Sequence, residues 1–221
     1  MTIIEAIQKR HSVRRYTDKS IESDVLATLQ AEVDVCNSES GLNIQLVTDD
    51  PDTFNGLLAK INISGAKNYI VLIGKESADL EEKAGYYGER LVLKAQQLGL
   101  NTCWAAAFNK KKFAAKIDKD EKIVIIIALG YGVAQGVTRK SKPIESLCRV
   151  DVDMPVWFRS GMEAAMLAPT ARNQQKFLFT LSGNTVKAES LGGSFSKIDL
   201  GIVKYHFEVG TGAENFKWAD S

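Results

Sequence analysis

The spacing of apolar residues in the first hundred positions predicts helices and strands in alternation. Isoleucines at helical spacing predict a short helix over residues 2–10. A second helix follows Ser20, which can cap it. The apolar runs LNIQLVT and NYIVLIG are typical of strands, and the second run ends at Gly74. The longest helix is predicted over about residues 78–98, with Gly99 as its C-terminal stop.

Further along the chain, the pattern continues to alternate. Residues 123–129 are apolar without interruption, as expected of a central strand with helices on both faces. A helix is predicted over residues 156–167, because it must end before Pro169. KFLFTLSGNTVKAES predicts a hairpin with its turn at the Gly-Asn dipeptide, and a final helix follows Ser196. The whole pattern predicts an α+β protein with helices around a mixed sheet.

Two stretches of the chain resemble one another. YGERLVLKAQQLGLNTCW and LGIVKYHFEVGTGAENFKW each contain Gly, a helical stretch, a second Gly and then Trp. Gly88 and Gly99 are as far apart as Gly201 and Gly212. Either amphipathic helices resemble one another by chance, or the chain carries a degenerate duplication.

A duplication would divide the chain into two halves related by a pseudo-two-fold axis. The predicted halves are residues 1–150 and residues 151–221, packed as one globular unit. A cleft at such an axis would take its walls from both halves.

Composition and charge exclude several classes of protein. A net charge of +1 over 221 residues argues against broad attraction to nucleic acid or anionic lipid. No run approaches the roughly 20 apolar residues of a membrane-spanning helix, and we expect no secretory signal at the start. Three scattered cysteines favour a reducing cytoplasm. Two distant histidines supply few metal ligands, so no metal site is expected.

Side chains that bind anions are concentrated directly after the first helix. The segment KRHSVRRY offers guanidinium, imidazole and hydroxyl donors, and the guanidinium groups suit phosphate oxygens best. These donors are Arg10, His11, Ser12 and Arg14. The alternative is a solvated basic helix end that interacts favourably with the helix dipole.

A second basic run, TRKSKPIESL, follows the central strand. Its Arg139, Lys140 and Lys142 either close over the same anion or form a charged surface linker. The lysines of FNKKKF, residues 110–112, are predicted to be a solvated surface. Neither run contains interleaved aromatic residues for stacking bases, which argues against nucleic-acid binding.

The stretch APTARNQQ forms a turn after a helix and is rich in groups that donate and accept hydrogen bonds. Such groups suit a neutral heterocycle or a ribityl chain better than a metal. The alternative is a turn that caps its own backbone, for which Asn and Thr are well suited. Alone, neither this turn nor the basic segments decide the function.

Together, these segments resemble the flavin-dependent nitroreductase family. KRHSVRRY is similar to its opening Arg-x-Ser-x-Arg pattern, and LGLNTCWAAAF to its Gly-Leu-Gly-Thr-Cys-Trp segment. APTARNQQ resembles its Ala-Pro-Ser-x-x-Asn-x-Gln turn, which ordinarily lies early in the chain and reaches FMN across a homodimer interface. Here VDVCNSESGLN occupies the early position. The chain therefore resembles a variant group in which one chain, as a monomer, imitates the dimer.

The resemblance implies one FMN site built from both halves. The phosphate, ribityl chain and pyrimidine edge would be bound by the opening segment: Arg10, His11, Ser12 and Arg14. The phosphate site would be completed by a lysine of the basic tail: Lys140 or Lys142. The flavin edge near N5 would face the backbone amides of one segment: Ala105, Ala106 and Ala107. From the other half, the flavin would be approached by the turn: Pro169, Thr170, Ala171, Asn173 and Gln175.

The resemblance also implies an activity. NAD(P)H would reduce the flavin, which would then reduce a nitroaromatic, a quinone or a similar acceptor in a ping-pong sequence. Arg14 would place positive charge near the pyrimidine edge. One alternative is a flavin carrier or redox sensor without turnover, since the family commonly has glycine within the Ala-Ala-Ala stretch. The other is a different phosphorylated ligand. In each case Arg10 and Ser12 are expected at the ligand, outside the core.

Overall fold

Helices and strands alternate along the residues that this computed structural model describes, namely 1–55, 62–109, 114–151 and 153–219. The helices are α1 (Ile3–Lys9), α2 (Ser23–Ser40), α3 (Leu80–Gln97), α4 (Val156–Met166) and α5 (Ser196–Thr211). The strands are β1 (Gln45–Val47), β2 (Asn68–Lys75), β3 (Asn101–Ala105), β4 (Glu121–Gly130), β5 (Cys148–Val150), β6 (Phe177–Ser182), β7 (Thr185–Ser190) and β8 (Lys217–Trp218). The predicted lysine surface at residues 110–112 lies outside the described ranges.

The predicted helices form, with small changes at their ends. A reciprocal capping box defines the start of α1: Thr2 Oγ1 accepts from the Glu5 N–H at 3.2 Å, and Glu5 Oε2 accepts from the Thr2 N–H at 2.8 Å. The prediction for the start of α2 is wrong, because Glu22 precedes the helix where Ser20 was expected to cap it. Ile21 is buried in the main apolar cluster, so its side chain is packed in the core before the helix begins.

The strands form two four-stranded sheets. The first has the order β1-β2-β4-β3 with antiparallel neighbours throughout. The second has the order β5-β6-β7-β8, with parallel outer pairs around an antiparallel hairpin. Helix α3 packs on the first sheet, α5 packs on the second, and the two helices pack on each other. The α+β class is confirmed, but the structure has two sheets with α3 and α5 between them, where one mixed sheet was expected.

Both faces of β4 are buried, as its uninterrupted apolar sequence predicted. Ile125 and Ile127 face the main apolar cluster with the helices. Ile126 and Ala128 face a second cluster that contains Val13. The second face is therefore covered in part by the extended segment after α1, through Val13 and Tyr16, and in part by residues between β1 and β2, among them Phe54 and Ile63. This packing fixes the arginine-bearing segment against the first sheet.

Helices α3 and α5 cross at a pair of glycines. Gly85 of α3 faces the carbonyl oxygen of Ile198, and Gly201 of α5 faces the carbonyl oxygen of Glu82. A Cβ at either glycine would overlap the opposing backbone. Each glycine thus meets the residue three positions before the other glycine, a reciprocal contact of the kind that a two-fold axis produces.

The sequence pairing of Gly88 with Gly201 differs from this packing. Gly88 faces the Trp104 ring and Leu72, away from the helix crossing. One apolar cluster contains residues of both predicted halves, among them Leu91 and Phe207. The duplication and the boundary at residues 150 and 151 stay predictions. None of the described helices combines the length and apolar character needed to cross a membrane.

Candidate functional site

A cavity of about 410 Å³ lies where the arginine-bearing segment, the end of β3, the downstream turn and the start of α5 meet. Its walls come from both predicted halves. The first half contributes Ser12, Arg14, Asn62, Ile63, Cys103, Trp104, Ala105, Ala106, Ala107 and Ile125. The second half contributes Pro169, Thr170, Ala171, Arg172, Gln174, Ser194, Phe195, Ile198, Asp199 and Ile202.

The segment after α1 is extended and alternates its side chains between core and cavity. Val13 is buried, and its N–H donates to the Thr102 carbonyl at 3.0 Å, which attaches the segment to β3. The neighbouring side chains, Ser12 and Arg14, therefore line the cavity. Arg14 is exposed and makes no ion pair with a described residue, so its guanidinium is available to a ligand.

The downstream turn begins at Pro169, after α4 has ended. Arg172, Asn173 and Gln175 have φ values of 52°, 54° and 45°. Left-handed backbone is uncommon for residues other than glycine, and such strain tends to cluster at functional sites. Arg172 lines the cavity with an exposed side chain.

Asp199, in the first turn of α5, holds this turn in place. Its carboxylate accepts from the Ala171 N–H at 2.9 and 3.1 Å and from Gln174 Nε2 at 2.7 Å. Burial raises the pKa of the Asp199 carboxyl, and the hydrogen bonds from Gln174 and Ala171 oppose that rise. Gln174 Nε2 also donates to the Ser194 carbonyl at 3.0 Å, so one amide connects the turn to the loop before α5.

The end of β3 supplies the wall opposite the turn. Trp104 lines the cavity, and its Nε1–H donates to Glu89 Oε2 at 3.0 Å. Cys103 is buried beside it, and burial raises the pKa of its thiol. The charges of Arg14 and Arg10, together with a hydrogen bond to Ser12, act against that rise.

A buried ionic cluster lies behind the Trp104 wall. Glu89 Oε1 is 2.8 Å from His206 Nε2 and 3.7 Å from Arg10 Nε, and all three side chains are almost completely buried. Burial and the charge of Arg10 together lower the pKa of Arg139 to about 10, with Glu89 opposing both effects. The Nε atoms of Arg10 and Arg139 are buried without a hydrogen-bond partner among the described residues. Two guanidinium groups thus share a single carboxylate.

The expectation that Arg10 lies outside the core is wrong. Only 4% of Arg10 is exposed, and its Nη2 points to the Leu167 carbonyl at 3.5 Å. Its side chain does not line the cavity, although it lies close enough to Cys103 to influence that thiol. Desolvation lowers the pKa of Arg10, with Glu89 opposing, so the buried charge is only partly compensated.

Five further predicted site residues also lie outside the cavity lining. His11 Nδ1 is 3.0 Å from the Lys9 carbonyl. Asn173 Nδ2 and Gln175 Nε2 both donate to the Lys140 carbonyl, at 2.8 and 3.1 Å. The Lys142 Nζ donates to the carbonyls of Gln174 and Gln175, at 2.9 and 3.0 Å. The basic tail and the turn therefore bind each other, and Lys140 and Lys142 keep exposed side chains.

Sequence reasoning missed several residues that line the cavity, above all Arg172, Phe195 and Asp199. Arg172 lies inside the APTARNQQ turn, but the sequence analysis assigns only other residues of that turn to the site. Asp199 looks like an ordinary first-turn acidic residue in the sequence, and no sequence pattern places Phe195 at the start of α5. Their position at the cavity depends on how α5 packs, which no local pattern encodes.

Solved nitroreductases have a similar fold. A "putative nitroreductase" from Thermotoga maritima MSB8 is 26% identical, with a TM-score of 0.64 over 95% of this chain and 83% of that chain. A nitroreductase family protein from Streptococcus pneumoniae TIGR4 is 15% identical, with a TM-score of 0.53 over 66% and 98%. A "putative nitroreductase" from Desulfovibrio desulfuricans, solved in complex with FMN, is 18% identical, with a TM-score of 0.51 over 66% and 95%.

The family assignment follows from the sequence as well. A family model described as "Putative TM nitroreductase" matches residues 2–211, and the chain belongs to this family. The predicted family resemblance is thereby confirmed. Among curated proteins, no match is found.

Proposed function

We propose that the protein is an FMN-dependent oxidoreductase and that FMN occupies the cavity between Ser12 and Ala171. Family membership and the FMN complex of the similar Desulfovibrio desulfuricans protein support the cofactor. The observation that carries the proposal is the cavity itself, which both predicted halves line and where the exposed guanidinium groups of Arg14 and Arg172 lie. In the buried cluster behind the cavity, the Nε atoms of Arg10 and Arg139 have no hydrogen-bond acceptor among the described residues. Buried donors normally have acceptors, so a phosphate that reaches this cluster would supply them.

The residues present fit the phosphate group. Among the residues that the structure describes, Glu89 is the only carboxylate that pairs with Arg10, and it also binds His206 and Trp104. A phosphate would supply the missing acceptors and balance the second guanidinium. We propose Arg10 and Arg139 as the phosphate-binding pair, with His11 adjacent. The backbone carbonyl of Lys140 accepts from Asn173 and Gln175, and these hydrogen bonds would keep the downstream turn in place. The Lys142 Nζ would do the same through the carbonyls of Gln174 and Gln175.

The residues present also fit the ring system. A volume of about 410 Å³ lies within the usual range of small-molecule sites, roughly 300–1,000 Å³. Ser12 and Arg14 would bind the ribityl chain and the pyrimidine edge. The segment Ala105, Ala106 and Ala107 would face one edge of the flavin, and Pro169, Thr170 and Ala171 the opposite side.

When bound, FMN supplies the hydride chemistry, while the chain binds, orients and excludes water. Arg14 and Arg172 place positive charge at the cavity, which favours electron-rich ligands and reduced flavin. A second pocket, near Tyr16 and Lys67, has only about 30 Å³. We therefore propose that NAD(P)H and a nitroaromatic or quinone acceptor use the same cavity in turn, as in a ping-pong sequence.

Both cavity walls belong to one chain, which supports a monomer as the working unit. This, like a cytoplasmic location, is part of the proposal. Size-exclusion chromatography with light scattering tests it: a mass near 24.3 kDa with FMN bound supports the monomer. Flavin found only in a larger species would reject it.

The function is tested first by spectroscopy. The purified protein should bind FMN, lose its visible flavin absorbance with NADH or NADPH without oxygen, and recover it when menadione is added. Flavin binding without reduction, or reduction without transfer, would instead identify a carrier or sensor. Failure to bind FMN at all would reject the cofactor and leave a different phosphorylated ligand.

The phosphate site is tested by two neighbouring variants, Arg139→Gln and Lys140→Gln. Arg139→Gln should weaken FMN binding by at least about tenfold, because a charge-assisted hydrogen bond is lost. It should also raise the stability of the FMN-free protein, since burial and Arg10 both disfavour that charge. Lys140→Gln removes an exposed charge and should change neither property. A purely structural arginine would lower stability instead.

A further inference from the structure

Phe195 departs from three local rules at once. Its φ of 61° is left-handed, which is a strained conformation for a bulky residue. It occupies the N-cap of α5 and makes no side-chain hydrogen bond there, a position that favours Ser, Thr, Asp or Asn. Its ring is large and apolar, yet 42% of the residue is exposed.

The ring contributes little to the folded core. Phe195 belongs to none of the described apolar clusters. It has no ring–ring contact with another aromatic residue among those the structure describes. A strained, exposed aromatic residue outside the apolar clusters is a feature that function, more than stability, maintains. The ring lines the cavity.

The surrounding loop holds Phe195 at the cavity rim. Gly192 and Gly193, just before it, have φ values of 80° and 105°, which allow the sharp path into α5. Gln174 anchors the loop through the Ser194 carbonyl, and its Oε1 lies 2.8 Å from where a Cβ on Gly193 would be. The ring is thus presented from a loop fixed to the strained turn.

We propose that Phe195 determines acceptor specificity by stacking on planar aromatic acceptors at the mouth of the cavity. The inference rests on the proposed function and specifies its substrate class. Offset stacking of two rings is favourable beyond simple burial, whereas a saturated ring of equal size gains only burial. The exposed guanidinium of Arg172 lines the same cavity and favours acceptors that carry oxygen substituents, as quinones and nitroaromatics do.

The test compares Phe195→Leu and Phe195→Gly with Leu191→Ala in the FMN-loaded protein. Leu191 is 54% exposed, lies in the same loop region and does not line the cavity, so it is a matched control. Binding of 2-naphthoate and of its saturated counterpart, decahydro-2-naphthoate, is measured from the change in flavin absorbance. FMN affinity and thermal unfolding are measured for each variant.

Wild type and Leu191→Ala should prefer 2-naphthoate, whereas Phe195→Leu should bind it about two- to tenfold more weakly and lose the preference. The KM for menadione should rise in parallel. Phe195→Gly should show the same losses but a higher melting temperature, because glycine adopts a positive φ without strain.

Two results would overturn the inference. An unchanged preference for the aromatic ligand in Phe195→Leu would exclude stacking on the acceptor. A loss of FMN affinity in both variants, with a lower melting temperature in Phe195→Gly, would place Phe195 against the cofactor or in the fold. If wild type itself fails to bind FMN, it is the proposed function that fails. Failure of this inference can therefore be distinguished from failure of the proposed function.

Discussion

The imidazole of His206 and the carboxylate of Glu89 form a 2.8 Å hydrogen bond with both side chains completely buried. The other ring nitrogen, Nδ1, lies 3.0 Å from the Ala164 carbonyl, which can only accept. Nδ1 is therefore the donor to that carbonyl, and Nε2 faces the Glu89 carboxylate. This pair holds Trp104, and with it one wall of the cavity, through the remaining carboxylate oxygen.

Replacing this carboxylate should destabilise the protein strongly. Glu89→Gln should lower the free energy of unfolding by about 3–5 kcal/mol, because Arg10 would then be a buried charge without its partner. Glu82→Gln, on the same helix, breaks a partly exposed ion pair with Lys204 and should cost about 1 kcal/mol or less. Urea unfolding measures both. Equal effects for the two variants would show that the buried cluster has no special role in stability.

The helix crossing should not tolerate a methyl group. Gly85→Ala and Gly201→Ala each place a Cβ against opposing backbone, and each should cost several kcal/mol, about 3 or more. The double variant should cost less than the sum, because one displacement of the helices relieves both clashes. Ser38→Ala, exposed on α2, is the control. Strict additivity of the two glycine variants in denaturant unfolding would contradict a shared contact.

Stability should depend on pH through Asp199. Its raised pKa means that the folded state binds the proton more tightly than the unfolded state. Its contribution to stability is therefore largest below the ordinary pKa of aspartate and decreases as the pH rises through the raised value. Asp199→Asn cannot titrate, so the stability of wild type relative to this variant should fall as the pH rises above the ordinary pKa of aspartate, about 4.

Chemical unfolding across that range measures the Asp199 contribution, with Asp153→Asn as a control for the loss of an exposed charge. A wild-type advantage that grows with pH would show that the hydrogen bonds from Ala171 and Gln174 outweigh burial, and would contradict the expected sign.

Cysteine labelling should report occupancy of the cavity without any activity measurement. Cys103 lines the cavity, whereas the other two free cysteines, Cys36 and Cys148, are buried elsewhere. Burial raises the pKa of Cys36 to about 12 and that of Cys103 in the same direction, so alkylation should be slow at each. FMN at ten times its dissociation constant should slow labelling of Cys103 about tenfold, as mass spectrometry measures. Equal protection of all three thiols would indicate global stabilisation instead.

Much of the fold follows from local patterns. The uninterrupted apolar run of β4 and the Gly-Asn turn of the β6–β7 hairpin both appear in the structure as predicted. The division of the strands into two sheets could not be predicted from these local patterns, because strand pairing depends on which helix each strand covers. In β6, buried positions alternate with half-buried ones, as in a strand with only one covered face. This alternation was the available sign that β6 lies in a different sheet from β4.

The site was only partly predictable for a related reason. Ser12 and Arg14 alternate with buried Val13, so an extended segment carries them to the cavity. For Arg10 the sequence showed a positive charge but not its burial, which depends on Glu89 in a distant helix. Within the basic tail, the residue beside Arg10 is Arg139, which no local feature distinguishes from its lysine neighbours.

One polypeptide supplies the whole lining of the cavity, from Ser12 to Asp199, so the site should not be lost when the protein is diluted. A pocket shared between subunits disappears when the subunits separate, at a concentration set by their affinity. Here the two walls are joined covalently, so the pocket forms whenever the chain folds. Each wall is also encoded by its own segment of the chain, so one wall can change in sequence without the other.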